Sequence, residues 1–366
     1  MQQLLSNVFD NYFSTRLQLG GRANLTGRPD QEALLTEIPK KIESYLAQRN
    51  LSHLYKVKGS IGNGNIARVP WVGLFRKEIT ENAENGFYIV LLFSEDMSGC
   101  YLSLNQGITA IEQLYTRNFA LKKMREGAEG ARRSLDCYPE EHQGPIDLHS
   151  TGDLGRAYEA AAIVSYPYSR EEAPTDQIFF VHLDRLLVHY ERLYQLFGKN
   201  LYSLFTVTEG EFQQVVMEKA AQARNANIQS QAEVEALGAL RLTSKGYARS
   251  PLVAAEAIRA AQFTCEIDAT HWTFTSKAKK QRYVEAHHLI PMSQQRSFPV
   301  SLDVVANVVS LCATCHRMLH YGIEKDRRSL LVSLLKQRKR KLLDNSIDVE
   351  TSDFLKFYAN GVVLED

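Results

Sequence analysis

Residues able to bind metal crowd into one stretch. Histidines fall at His287, His288, His316 and His320, and cysteines at Cys265, Cys312 and Cys315. His287 and His288 sit in VEAHHLIP, a short apolar run that reads as a strand ending at Pro291. Cys312 to His320 reads as a turn into a helix. His316 and His320 are then four residues apart, which puts both imidazoles on one helix face. A strand and a helix presenting three nitrogens to one point, His287, His316 and His320, make a small metal site with positions left for water and phosphate, as a catalytic metal requires. A second set is sulfur-rich. Cys312-x2-Cys315 is a thiolate pair, Cys265 is a third sulfur, and a closed structural Zn²⁺ site needs a fourth ligand. Asp268 stands where a second C-x2-C would be completed. His271 is the softer donor, so the proposed set is Cys265, His271, Cys312 and Cys315, with Asp268 as its rival.

The pair at 287–288, Asn307 and C-x2-C-H-x3-H at 312–320 resemble the HNH endonucleases, the ββα-metal nuclease fold. The resemblance covers about a quarter of the chain. It implies that His287, His316 and His320 bind a divalent cation, Mg²⁺ or Mn²⁺. It also implies that His288 is the general base for the attacking water, and that Asn307 holds the loop and orients His288. The blander reading is an inert zinc knuckle, but that would need neither paired histidines on a strand nor an asparagine at fixed spacing.

The 366 residues leave room for two or three domains, and 44% hydrophobic content suffices for buried cores. The net charge of +1 excludes a polycation, so nucleic-acid contacts must come from local basic patches. No apolar run is long enough for a membrane span. The start, MQQLLSNVFDNYF, lacks a signal peptide's basic end and long apolar core. The odd cysteine count with a metal-type spacing argues for a reducing cytoplasm.

The elements that must hold these residues follow from periodicity. Residues 1–50 read as two helices separated by GGRANLTGRPDQ. Residues 53–107 switch to strands, with NGFYIVLLF and CYLSLNQG as an antiparallel hairpin. GNGN at 62–65 is followed by neither GK[ST] nor a helix, and no Walker A pattern occurs, so no NTPase is expected. Residues 108–135 read as a basic-ended helix. Residues 177–198 read as an amphipathic helix, with Phe179, Leu183, Leu186, Tyr190, Leu193 and Phe197 packed on the first domain rather than on a second copy. The stretch 207–245 is rich in Gln, Ala and Glu and reads as a helical linker. PLVAAEAIRAAQ reads as a helix leading into Cys265, LLKQRKRKLL as a basic helix, and SDFLKFYANG as a short docking helix.

The blocks KVKGSIGNGNIARVPWVGLF and NGFYIVLLFSEDMSGCYLSLNQG resemble the N-terminal DNA-binding domain of McrB-type restriction proteins, over roughly residues 1–200. That family's domain binds methylated DNA and flips the modified cytosine into an aromatic-lined pocket. The resemblance implies pocket roles for Trp71, Tyr88 and Leu92, and for an aromatic near LGRAYEAAAI, where Tyr158 is the candidate. Stacking on such faces can offset the few kcal/mol that extrusion costs. The family archetype carries a GTPase motor after this domain. This chain has none, which implies cutting without NTP.

Basic side chains placed to meet phosphates are Lys56, Lys58, Arg68, Arg76 and Lys77 around the strands, and Lys336, Arg338, Lys339 and Arg340 on the basic helix. The expected architecture is α+β. It has an N-terminal α/β reader with a central mixed or antiparallel sheet (1–200), a helical linker (201–248), and a C-terminal ββα-metal nuclease with structural Zn²⁺ (249–366). The expected activity is a restriction endonuclease for double-stranded DNA bearing modified cytosine, most simply 5-methylcytosine. One HNH site cuts one strand, so a homodimer is expected, at least on DNA. The rivals are an enzyme that recognises an unmodified sequence and a non-catalytic DNA-binding regulator.

Overall fold

The computed structural model describes residues 1–23, 27–199, 201, 204, 207–222, 249–277 and 280–358. The chain divides into two compact units. The first comprises Met1–Gln113 and Arg117–Phe205; the second comprises Leu114–Thr116 and Thr206–Asp366. The architecture is mixed α and β with antiparallel sheets, as expected. Among the described residues no helix is long and apolar enough to cross a membrane.

In the first unit six strands lie in the order β1-β2-β3-β4-β6-β5. These are β1 (Tyr55–Ser60), β2 (Trp71–Arg76), β3 (Phe87–Phe93), β4 (Gly99–Gln106), β5 (His142–Gln143) and β6 (Ala162–Ser169). Every pairing is antiparallel, so the sheet is not mixed. β3 is apolar throughout because both of its faces are buried. Phe87, Ile89, Leu91 and Phe93 join the core under α1 (Gln2–Gln18), α3 (Ile38–Gln48) and α7 (Asp176–Phe197). Tyr88, Val90 and Leu92 join a separate cluster on the opposite face, with Tyr158 of α6 (Asp153–Ala161). A short helix, α2 (Pro29–Glu32), leads into a π turn at Ala33–Glu37 and then α3. That turn lies hard against β1, where a Cβ on Gly59 would fall 1.9 Å from the Leu34 carbonyl oxygen.

The amphipathic helix expected at 177–198 is α7. Its Phe179, Leu183, Leu186, Tyr190 and Leu193 are buried in the first core, as read from their spacing. The single helix expected over 108–135 is two, α4 (Thr109–Leu114) and α5 (Arg117–Arg132).

The second unit pairs β7 (Glu285–His288) antiparallel with β8 (Val308–Leu311). Around them lie α8 (Glu209–Gln222), α9 (Pro251–Ala260), α10 (Ala313–Tyr321), α11 (Glu324–Asp344) and α12 (Thr351–Lys356). α8 falls in the stretch read as a linker. It is no free spacer: Phe212, Val216, Met217 and Ala220 pack with α9 and with Val284, Ala286 and Val308. The Gln213 side chain donates to the Ala286 carbonyl and accepts from the Ala286 amide, at 2.7 Å each, and so satisfies the outer edge of β7. Residues 223–248 of the expected linker lie outside the described residues. The closing helix docks as expected, through Phe354 and Tyr358 in the core beneath α11.

Candidate functional site

Cys312 ends the connection from β8 and caps α10, its sulfur accepting the Cys315 amide. The cap sets the helix direction, and His316 and His320 then project from one face toward β7. The pairing of His287 opposite Val309 sets the strand's register. The donor atoms of His287, His316 and His320 all lie within 4.8 Å of one another, and all three side chains are buried.

Their tautomers follow from their partners. Glu285 Oε2 lies 2.6 Å from His316 Nδ1, so that nitrogen donates and Nε2 keeps its lone pair. His316 Nε2 lies 3.2 Å from His320 Nε2. Tyr358 donates its hydroxyl to the Leu289 carbonyl (2.7 Å), so His287 Nε2, at 3.2 Å, donates to Tyr358 and leaves Nδ1 free. Burial, then the neighbouring His316 and His320, hold His287 well below the usual histidine range. Burial alone would raise the Glu285 carboxyl, but the hydrogen bond from His316 lowers it. Three buried imidazoles, with a carboxylate behind one of them, fit a divalent cation.

Cys265, His271, Cys312 and Cys315 form the second cluster, again with donor atoms within 4.8 Å. His271 Nδ1 lies 3.4 Å from Cys315 Sγ and 3.7 Å from Cys312 Sγ. The Cys265 thiol is pulled down to about 4, first by the Cys315 sulfur and, against burial, by backbone amides of Cys312, Asp268 and Ile267. Cys315 is pushed up by the same contact. Asp268 is outside the cluster. It is exposed and accepts from the amide and hydroxyl of Thr270. Three sulfurs and one nitrogen suit tetrahedral zinc.

His288 has a different partner from its neighbour. Its Nε2 lies 2.9 Å from Asp303 Oδ1, which leaves Nδ1 as the basic nitrogen. Asn307 clasps the loop between β7 and β8. Its Oδ1 accepts from the Ile290 amide (2.8 Å), and its Nδ2 donates to the Ile290 and Leu302 carbonyls (2.9 Å each). The hydrogen bond that fixes the His288 ring therefore comes from Asp303, while Asn307 shapes the backbone that carries both.

In the first unit, Trp71, Tyr88, Leu92 and Tyr158 meet in one cluster. Trp71 is opposite Leu92 in the sheet register. Gly73 makes room for the rings, since a Cβ there would lie 2.4 Å from Phe75 Cζ and 3.2 Å from Trp71 Cζ3. Tyr88 and Leu92 are fully buried, Tyr158 is 7% exposed, and Trp71 is half-buried.

Comparison with known proteins assigns these two regions. Residues 17–195 match the MrcB-like N-terminal domain, and residues 265–322 match the HNH endonuclease model. The chain joins an MrcB-like domain to an HNH endonuclease domain. It is also similar to the type IV methyl-directed restriction enzyme EcoKMcrA of Escherichia coli strain K12, at 33% identity over 90 residues. That alignment covers 25% of this chain and 30% of the relative's length.

Not every basic residue expected at a phosphate is free for one. In the MrcB-like domain Arg76 is buried, pairs with Glu78 and Glu191 (2.6 Å each) and lies over the Tyr194 ring. In the HNH domain Arg338 is buried and bonds both oxygens of Glu266 (2.6 and 2.7 Å). Glu266 in turn holds the Ser310 amide of β8. Both arginines are structural, because a buried guanidinium needs carboxylates and phosphate cannot reach it. Lys77 donates to the Ser52 and His53 carbonyls. Lys56 pairs with Glu81, Arg68 with Glu95, and Lys339 with Asp348. Lys58, Lys336 and Arg340 are exposed.

Sequence reading missed Glu285, Asp303 and Tyr358, each of which sets a histidine's orientation. Glu285 is two residues before His287 on the same strand face, a spacing that could have flagged it. Asp303 and Tyr358 offered no spacing signal.

Proposed function

We propose that this chain is a restriction endonuclease that hydrolyses phosphodiester bonds in double-stranded DNA bearing modified cytosine, 5-methylcytosine first. The observation that carries this reading is the convergence of His287, His316 and His320 on one ββα unit, with His288 oriented beside them. His287 Nδ1, His316 and His320 would hold Mg²⁺ or Mn²⁺, which supplies Lewis-acid stabilisation of the phosphate's developing charge. His288, its Nε2 held by Asp303, takes the proton of the attacking water at Nδ1. Asn307 keeps the β7–β8 loop in the shape that aims it. Cys265, His271, Cys312 and Cys315 would hold Zn²⁺ and tie the segment before β7 to α10.

The MrcB-like domain is the reader in this account. Trp71 and Tyr158 would form the mouth of a pocket for a flipped base, with Tyr88 and Leu92 behind them. In this reading cutting needs no NTP. Two protomers, each cutting one strand, would meet on DNA in a prokaryotic cytoplasm, as defence against invading DNA. A second reading has a specific observation behind it. Tyr88 and Leu92 are fully buried, which suits a structural core, so a reader of unmodified sequence is the alternative.

The test of the nuclease is plasmid cleavage by the full chain with Mg²⁺ or Mn²⁺, beside His288→Ala. Cleavage that falls by about 10²–10⁴ in the variant, with its melting unchanged, is the expected result. Equal cleavage by both proteins would contradict it.

A further inference from the structure

Between the sulfur cluster and the catalytic strand the chain makes a narrow arm, and it holds a tryptophan out in water. Trp272 is 82% exposed, and Phe274 behind it is 49% exposed. Covering a ring this large with another surface is strongly favourable.

The arm is braced. Tyr283 N donates to the Phe274 carbonyl (2.8 Å) and Ser276 N to the Gln281 carbonyl (2.7 Å), and Thr275 bridges Arg282. Phe274 stacks on Tyr283 with ring centroids 4.5 Å apart. The Arg282 guanidinium ties the base of the arm to the Ala269 and His271 carbonyls (3.2 and 2.7 Å). Trp272 therefore projects from a fixed support.

The charge of the arm names the partner. From Ala269 to Val284 the sequence holds Lys277, Lys279, Lys280 and Arg282 and no carboxylate, in a chain of net charge +1. Lys277 and Lys280 are exposed. Its two ends are parts of the site: His271 precedes Trp272, and Tyr283 donates to Glu285 Oε1 (2.8 Å) while Glu285 Oε2 holds His316.

We propose that residues 272–277 and 280–283 are a DNA-contacting arm of the nuclease unit, with Trp272 packing into a groove beside the cut phosphate and Lys277 and Lys280 meeting the backbone. The inference rests on the nuclease reading and adds the surface by which that unit grips and distorts its substrate. Apolar wedges flanked by cations unstack base steps in this way.

The chain has two tryptophans, so the difference between wild type and Trp272→Phe isolates the Trp272 signal. Titrating both full-length proteins with a short duplex should show Trp272 emission quenched and shielded from acrylamide. Lys277→Ala with Lys280→Ala should reduce the salt slope of binding by about 2. Trp272→Ala should raise the KM for cleavage roughly tenfold, with zinc content and melting unchanged. Wild-type cleavage with Trp272 emission unmoved by DNA, and with both arm variants cutting normally, would overturn the arm alone. A wild-type chain that neither binds nor cuts duplex DNA would overturn the nuclease reading and the arm with it.

Discussion

His288 Nε2 lies 2.9 Å from Asp303 Oδ1, and the second oxygen of that carboxylate accepts the Ser250 amide at 2.7 Å. One buried side chain thus orients the proposed base and anchors the start of α9. Asp303→Asn should lower kcat about 10–100-fold with little change in KM, as for other groups that position a reacting side chain from behind. Steady-state cleavage kinetics would show it. An unchanged kcat would remove Asp303 from the mechanism.

The sulfur cluster predicts an asymmetry between its two rival fourth ligands. His271→Ala should lose zinc and unfold the second unit, because metal binding and folding are one equilibrium in such knuckles. Asp268→Ala should keep zinc and cost no more than about 1 kcal/mol, the worth of its exposed turn. Metal analysis and melting of the two purified variants decide this. Zinc loss in Asp268→Ala with retention in His271→Ala would reverse the assignment.

Arg338 and Arg340 lie two residues apart on the basic helix and should behave oppositely. Arg338→Ala strands Glu266 without its partner and should destabilise the second unit by about 3–5 kcal/mol. Arg340→Ala should leave stability within about 0.5 kcal/mol, as exposed surface changes do. Denaturant melts give both values.

These arginines mark where sequence ceased to be informative. The spacing of Cys312, Cys315, His316 and His320 was enough to separate the two metal clusters, because these four residues are local to one helix and its cap. The apolar run of β3 likewise announced a strand, and the fold buries both of its faces. The fate of Arg76 and Arg338 was hidden, because Glu191 and Glu266, which hold them, are 115 and 72 residues away. α8 looked like a spacer because its polar Gln and Glu dominate its composition, although Phe212, Val216 and Met217 form one buried stripe. Asp303 and Tyr358 reach their histidines only through tertiary folding.

In the first unit, Glu141 accepts from His189 Nε2 (3.0 Å), the Tyr166 hydroxyl (2.9 Å) and the Tyr138 amide (2.9 Å). Burial alone would raise its carboxyl, but the His189 hydrogen bond and these other donors hold it below its usual value of 4.5. A depressed folded pKa contributes stability above the unfolded value, and that stability is lost as pH falls through the folded one. The first unit should therefore lose stability in acid. Glu141→Gln should cost roughly 1.5–3 kcal/mol at neutral pH and flatten the acid limb. A melt series across pH for both proteins tests this, and parallel acid limbs would contradict it.

The central claim couples a reader to a cutter in one chain. Its most direct measurement mixes two plasmids of different length in one tube, one cytosine-methylated and one unmodified, with Mg²⁺ or Mn²⁺ and no NTP. The account predicts that the methylated plasmid is cut and the unmodified one survives. Equal loss of both plasmids would contradict the reader while leaving the nuclease.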